Sequence, residues 1–205
     1  MVAMRTILTI GHSTHSYEEF LHLLRGAGVT AVADVRSLPF SRRQPQFNRP
    51  ELKRKLKLDK IDYAFLGDEL GGRPKARDLL REGMADYEKM ALTRGFARGL
   101  DRISEGAKKY KIALMCAERD PLECHRCLLV GRALKTRGFA VRNILFDGHQ
   151  KSQEEIESDL VEMLKQSGAD LFPTDQIASA YRDRANRVAF SALEKPSSDK
   201  VEAAE

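Results

Sequence analysis

Five short apolar runs punctuate the chain: Thr6–Ile10, Val29–Val35, Asp62–Leu66, Lys111–Met115 and Val141–Leu145. Each predicts a strand. Between most of them the apolar positions change to helical spacing. Ser16-Tyr17-Glu18-Glu19 is a capping box, opening a helix that turns Phe20, Leu21 and Leu24 inward and closes at Gly26 or Gly28. Asp86–Ala107 carries Tyr87, Met90, Phe96, Leu100 and Ile103 near helical spacing, with Gly95 and Gly99 as candidate breaks. Cys124–Arg137 predicts a helix with Leu128, Leu129 and Leu134 inward, stopped by Gly138. Ser152-Gln153-Glu154-Glu155 is a second capping box, its helix stopped by Gly168, and a last helix is expected from Asp175 to about Ala189.

Strands alternating with helices imply βαβ units: an α/β fold with a mostly parallel sheet of about five strands and helices on both faces. The organisation expected is an α/β domain over 1–150, C-terminal helices over 151–194 packed on or beside it, and a disordered polar tail over 195–205. The stretch Arg36–Lys60 shows no period and contains Pro39, Pro45 and Pro50, so it reads as a long loop.

Composition narrows the class. With 205 residues, 42% hydrophobic and 32% charged, the chain has material for a real core, which excludes a disordered or collagen-like protein. No apolar run approaches the roughly 18 residues of a membrane span. Met1–Ile10 lacks the features of a secretory signal. Three cysteines, all within Cys116–Cys127, argue against a disulfide framework and for a reducing, cytoplasmic setting. The net charge of +5 is uneven: residues 1–150 hold 28 basic and 18 acidic side chains, and residues 151–205 hold 7 and 12. Arg36–Lys60 alone has nine basic and two acidic residues, which suggests an anionic partner or a solvated basic face.

In open α/β sheets ligands bind beyond the carboxyl ends of the strands. The distinctive residues of this chain follow its strands: Gly11-His12-Ser13-Thr14-His15 after the first, and Asp34-Val35-Arg36 with Ser41-Arg42-Arg43 after the second. Leu70-Gly71-Gly72-Arg73 follows the third, and Cys116-Ala117-Glu118 with Cys124-His125-Arg126 the fourth. Cys116 stands where a strand feeds a polar loop and a helix start. There, N–H dipoles and Arg119, His125 and Arg126 would lower a thiol pKa, although burial would leave it inert. Cys116, Cys124, His125 and Cys127 could also supply four soft ligands, or Cys116 and Cys124 a disulfide; a Cys-His-x-Cys segment on a helix spreads its side chains too widely to favour the former. Gly71-Gly72 reads as a turn that uses positive φ.

These ordered motifs (Thr9-Ile10-Gly11-His12-Ser13, Asp34-Val35-Arg36 with Pro39, Ser41-Arg42 and Phe47, Leu70-Gly71-Gly72, and Cys116-Ala117-Glu118 with Pro121 and Cys124-His125-Arg126) closely resemble a widespread prokaryotic family. It is known only as domain of unknown function number four-eight-eight. The resemblance runs from about Arg5 to Gln150. It implies an α/β fold and brings no established reaction. Cys127 stands outside the motif.

The function expected from the residues is a cytoplasmic enzyme, a cysteine-dependent transferase or hydrolase with a thiol-containing anion site for a phosphate-bearing small molecule or nucleic acid. The candidate catalytic residues are Cys116, His125, His12, Asp34 and Glu118. Arg36, Arg42, Arg73, Arg126 and Ser13 are the candidate anion holders. No cofactor, metal or membrane partner is expected. The rival is a non-catalytic nucleic-acid module built on 36–60, with Phe40, Phe47 and Tyr63 stacking on bases. A metal or redox protein using the Cys/His cluster is the third reading.

Overall fold

A computed structural model of the chain describes residues 5–166 and 176–193. The first strand, β1 (Thr6–Gly11), is followed by α1 (Tyr17–Gly26), β2 (Ala31–Asp34), α2 (Arg49–Leu58), β3 (Asp62–Phe65) and the single turn α3 (Gly67–Leu70). A two-residue hairpin of β4 (Leu80–Arg81) and β5 (Met84–Ala85) leads into α4 (Tyr87–Ala91) and α5 (Arg94–Gly106). Then come β6 (Ile112–Cys116), a π-helical segment Arg126–Gly131 continued by α6 (Arg132–Thr136), and β7 (Ala140–Ile144). The chain continues through β8 (Gln150–Ser152), α7 (Gln153–Gln166) and α8 (Gln176–Val188). The expected helix stop at Gly168, the start at Asp175 and the tail from Lys195 lie outside the described residues.

The main sheet has the order β3-β2-β6-β1-β7-β8. Every neighbouring pair is parallel except β7–β8, which is antiparallel. The five expected strands are thus all present and parallel; β8 is an addition, formed as the chain turns back through Gly148 (φ 89°). Alternation along each strand divides the core in two. Leu8, Ile10, Val32, Ala113 and Met115 face α1 and α2, together with Phe20, Leu24, Leu52 and Leu56. Ile7, Ala33, Leu114 and Cys116 face the other way, toward α5, α6, α7 and α8.

Both capping boxes form: Ser16 with Glu19 opens α1, and Ser152 with Glu155 opens α7. The helical region 86–107 divides at Leu92–Thr93, where Thr93 caps α5, rather than at Gly95 or Gly99. The segment 36–60 is not one long loop. Asn48 leads into α2, whose first turn holds Pro50; proline there lacks only an N–H that has no helical partner anyway. Its mostly charged surface hides the helix, since only Leu52 and Leu56 are buried. No helix among the described residues is long and apolar enough to cross a membrane.

Candidate active site at the carboxyl edge of the sheet

Pairing puts the ends of β1, β2 and β6 side by side, with Gly11 opposite Cys116 and Asp34 opposite Met115. The loops that follow are stitched together by backbone bonds. His12 N–H donates to the Cys116 carbonyl and Ser13 N–H to the Ala117 carbonyl, each at 2.9 Å. Gly11 is dictated by this closeness: a Cβ there would lie 1.8 Å from the Glu118 carbonyl oxygen. From below, the fully buried Arg126 donates through Nη1 to the Glu118 carbonyl (2.7 Å) and through Nη2 to that of Arg119 (3.2 Å). Arg126, expected among the anion holders, braces the loop after β6 and does not line the cavity described below.

The loop carries Cys116, Glu118, Cys124 and His125 to one point. Glu118 Oε2 lies 2.9 Å from Cys116 Sγ and 3.0 Å from Cys124 Sγ. His125 Nδ1 lies 3.7 and 3.9 Å from the same two sulfurs. The other ring nitrogen, Nε2, is 2.9 Å from the Val35 carbonyl. A carbonyl only accepts, so Nε2 carries a proton and Nδ1 in the neutral ring offers a lone pair to the sulfurs. Gly72 packs against this imidazole; a Cβ there would lie 2.6 Å from His125 Cγ. Gly72 is thus needed for close approach, whereas neither Gly71 nor Gly72 adopts the positive φ expected of them.

Beside the cluster is a second buried network. Asp34 takes the Arg36 guanidinium in a fork, from Nε at 2.9 Å and Nη2 at 2.7 Å, and accepts from Tyr63 Oη at 2.8 Å. Arg36 Nη2 also donates to the Phe47 carbonyl (2.8 Å) and Nη1 reaches His12 Nε2 (3.2 Å). His12 completes the set by bonding the Ser13 carbonyl through Nδ1 (3.0 Å) and stacking on Phe47 at 4.3 Å. Burial, then the Arg36 charge, lower its pKa to about 4, so His12 is a neutral structural ring at ordinary pH.

A cavity of about 620 Å³ opens over the cluster, with Cys116, Cys124, Glu118 and His125 among its lining residues. Arg36, Ser37, Gly72, Arg73, Tyr87 and Phe190 also line it. Of the expected site residues, Cys116, His125, Glu118, Arg36 and Arg73 meet there. His12, Asp34, Ser13, Arg42 and Arg126 do not line it. Arg42 is exposed, and Ser13 is taken up in the loop stitching. Sequence reasoning missed three contributors. Ser37 Oγ accepts from Arg73 N–H at 3.0 Å, and its adjacency to Arg36 was a usable signal. The Val35 carbonyl orients His125, and a backbone group leaves no trace in residue type. Phe190 reaches the wall from beyond α8, with Arg73 over its ring at 5.3 Å.

The charges of the cluster are coupled. Burial, then the Cys124 sulfur and Glu118, push the Cys116 thiol well up. Burial opposes charge on Cys124 too, but a hydrogen bond from Cys116, the Arg126 cation and the protonated form of His125 outweigh it and bring Cys124 well below an ordinary thiol. The lowering expected for Cys116 is therefore reversed, because the Arg126 backbone N–H and guanidinium favour Cys124 instead. Burial lowers His125, yet Cys124 and Glu118 raise it on balance; burial and then Cys124 raise Glu118. Cys127 stands apart against Gln153, and burial lifts it to about 12. The described residues hold one close set of soft ligand atoms: Cys116 Sγ, Cys124 Sγ and His125 nitrogen, all within 4.8 Å of one another. Cys127 is not among them.

Sheet, loops and cluster define a class: an α/β protein with a thiol–imidazole–carboxylate group at the carboxyl edge of a parallel sheet. The chain belongs to the family described as Domain of unknown function DUF488, whose model matches residues 16–133. That span takes in Asp34, Arg36, Gly72 and the whole Cys116–Arg126 region, and is narrower than the Arg5–Gln150 resemblance read from the motifs. No curated protein and no solved structure matches the chain.

Proposed function

We propose that this chain is an enzyme, a transferase or hydrolase acting on a phosphate-bearing small molecule. Its reaction centre is the Cys116–Glu118–Cys124–His125 cluster. One observation carries the reading: four groups able to exchange protons or hold charge converge at the base of a cavity whose wall contains Arg36 and whose exposed rim contains Arg73. The guanidinium of Arg36 is taken up by Asp34, Phe47 and His12, so it shapes the wall and is not available to hold the phosphate. Arg73 is the cation that meets the phosphate directly.

The nucleic-acid module is less favoured. Of its three candidate stacking rings, Phe47 is fully buried against His12 and Tyr63 is bonded to Asp34, leaving Phe40 at 64% exposure. Calorimetric titration with nucleoside mono-, di- and triphosphates and sugar phosphates tests the choice. Saturable binding that weakens about tenfold or more in Arg73→Ala supports the cavity. Binding confined to mixed oligonucleotides, with a steep salt slope unchanged in Arg73→Ala, overturns it in favour of the module.

A further inference from the structure

The cluster is more crowded than thiol chemistry needs. Both cysteines are 2% exposed, so an attacking thiolate would have little access to substrate. A single carboxylate oxygen serves both sulfurs, and the imidazole lone pair faces the same space. His125 cannot turn away, since Nε2 is tied to the Val35 carbonyl and Gly72 closes the ring's flank. That tie is the outer-shell support that fixes a metal-binding histidine.

We infer that Cys116 Sγ, Cys124 Sγ and His125 Nδ1 hold a zinc ion, with the fourth corner facing the cavity. The inference rests on reading the cluster as the reaction centre and names its cofactor. Spacing is the main argument. Around tetrahedral zinc, with bonds of about 2.3 Å to sulfur and about 2.05 Å to nitrogen, sulfur and nitrogen stand about 3.6 Å apart. The two observed separations are 3.7 and 3.9 Å. Glu118 touches both sulfurs but stands outside the set of ligand atoms within 4.8 Å of one another, so it supports the ligands from the outer shell. Two soft sulfurs and one imidazole nitrogen favour zinc over magnesium or calcium. The proton balance is simple. The empty cluster carries two protons over the two thiols and the imidazole lone pair, whether as two thiols or as a thiol with a thiolate–imidazolium pair. Zinc displaces both to solvent, and no oxidant or reductant takes part. The thiolates then serve as ligands, and the fourth corner is the one that can take water or substrate.

The experiment uses the full chain, stripped with chelator, checked for folding by circular dichroism, and titrated with zinc against a chromophoric competitor. Cobalt is titrated in parallel. One zinc per chain is expected, with two protons released and, for cobalt, intense thiolate-to-metal charge transfer with the visible bands of a tetrahedral ion. Cys116→Ser and Cys124→Ser should each weaken zinc by more than about 100-fold and reduce the charge-transfer band, while Glu118→Gln weakens it about tenfold. Cys127→Ser should bind as the parent does. Should either ligand variant fail to fold, alkylation of the parent decides: zinc must protect Cys116 and Cys124, read by peptide mass mapping. Folded parent protein without stoichiometric binding, or with binding indifferent to Cys124→Ser or to alkylation of both thiols, overturns the proposal. Zinc binding without any phosphate ligand in the cavity would leave the ion standing and remove the substrate reading. Arg73-dependent phosphate binding without zinc would do the reverse.

Discussion

Two buried polar groups lie side by side at the carboxyl edge of the sheet, and they are built on opposite terms. In the Asp34–Arg36–Tyr63–His12 network every charged or donor group has a complementary partner: a forked ion pair, a phenol on the same carboxylate, and a ring bonded at both nitrogens. In the Cys116–Glu118–Cys124–His125 cluster two sulfurs share one oxygen and face one lone pair. A network with every atom partnered stiffens what surrounds it. A cluster whose atoms converge on one point is poised for an occupant. The first therefore braces the scaffold and the second is the candidate for the chemistry proposed above, although both draw on the same strand ends.

The largest effect should come from breaking the closed network. Asp34→Ala leaves the Arg36 charge buried without its partner, and such a loss costs about 3–5 kcal/mol. Cys124→Ala in metal-free protein should cost about 1–2 kcal/mol, the ordinary range for a single core change. Urea unfolding of both variants measures the contrast, and equal losses would erase the distinction between the two groups.

Acid offers the next test. His12 stays neutral in the folded chain down to about pH 4, whereas an unfolded histidine takes its proton near 6.5. Between these values the unfolded state binds more protons, so stability falls as pH falls, by about 3 kcal/mol over the window. Burial lowers His15 as well and adds in the same direction. Unfolding midpoints at pH 7 and pH 4.5 should therefore separate clearly in the parent and less in His12→Asn. An identical pH slope in the variant would show that His12 does not carry the effect.

A smaller effect sharpens the boundary between scaffold and site. Gly72→Ala places a methyl 2.8 Å from His125 Nδ1, which must shift. Overpacking of this kind costs about 1–3 kcal/mol. The expected signature is displaced histidine ring resonances in the NMR spectrum with the rest of the spectrum retained. Unmoved His125 resonances would mean that the loop of Gly72 yields instead.

How much of this was legible in the residues varies by length scale. Strands buried in a parallel sheet are near-continuous apolar runs, so β1, β2 and β6 stood out; the short runs at edge strand β3 and at β7 were enough to mark them, and the capping boxes marked α1 and α7. The hairpin of β4 and β5 has two residues in each strand, too few for any period. The α2 helix was hidden because a surface helix with two buried leucines has little apolar stripe. For the site, residue types after each strand named Cys116, Glu118, His125, Arg36 and Arg73, which the fold brings to the lining of one cavity. They did not reveal which cysteine holds the charge, because that depends on where Arg126 lies once the loop is folded. Arg126 and His12 were read as chemical groups because cationic and imidazole side chains near a strand end look alike whether they meet a ligand or a carbonyl. Gly72 was taken for a turn because a glycine required by its neighbour's bulk has the same letter as one required by its own φ.

The π-helical segment Arg126–Gly131 makes the site separable from the frame that carries it. A π turn accommodates one residue more than the α-helix on either side, and single π turns recur at functional positions. The leucines that bury the helix lie in and beyond this segment, while Cys124 and His125 lie before it. Removing one residue inside the bulge would restore a regular helix without shifting Leu134 in its core socket. It would also turn everything upstream by about 100°, one helical step, and carry the two side chains off the cluster. The register of one turn thus sets whether Cys124 and His125 reach the cluster, and changing it would also repack Leu128, Leu129 and Val130, which are buried inside the segment.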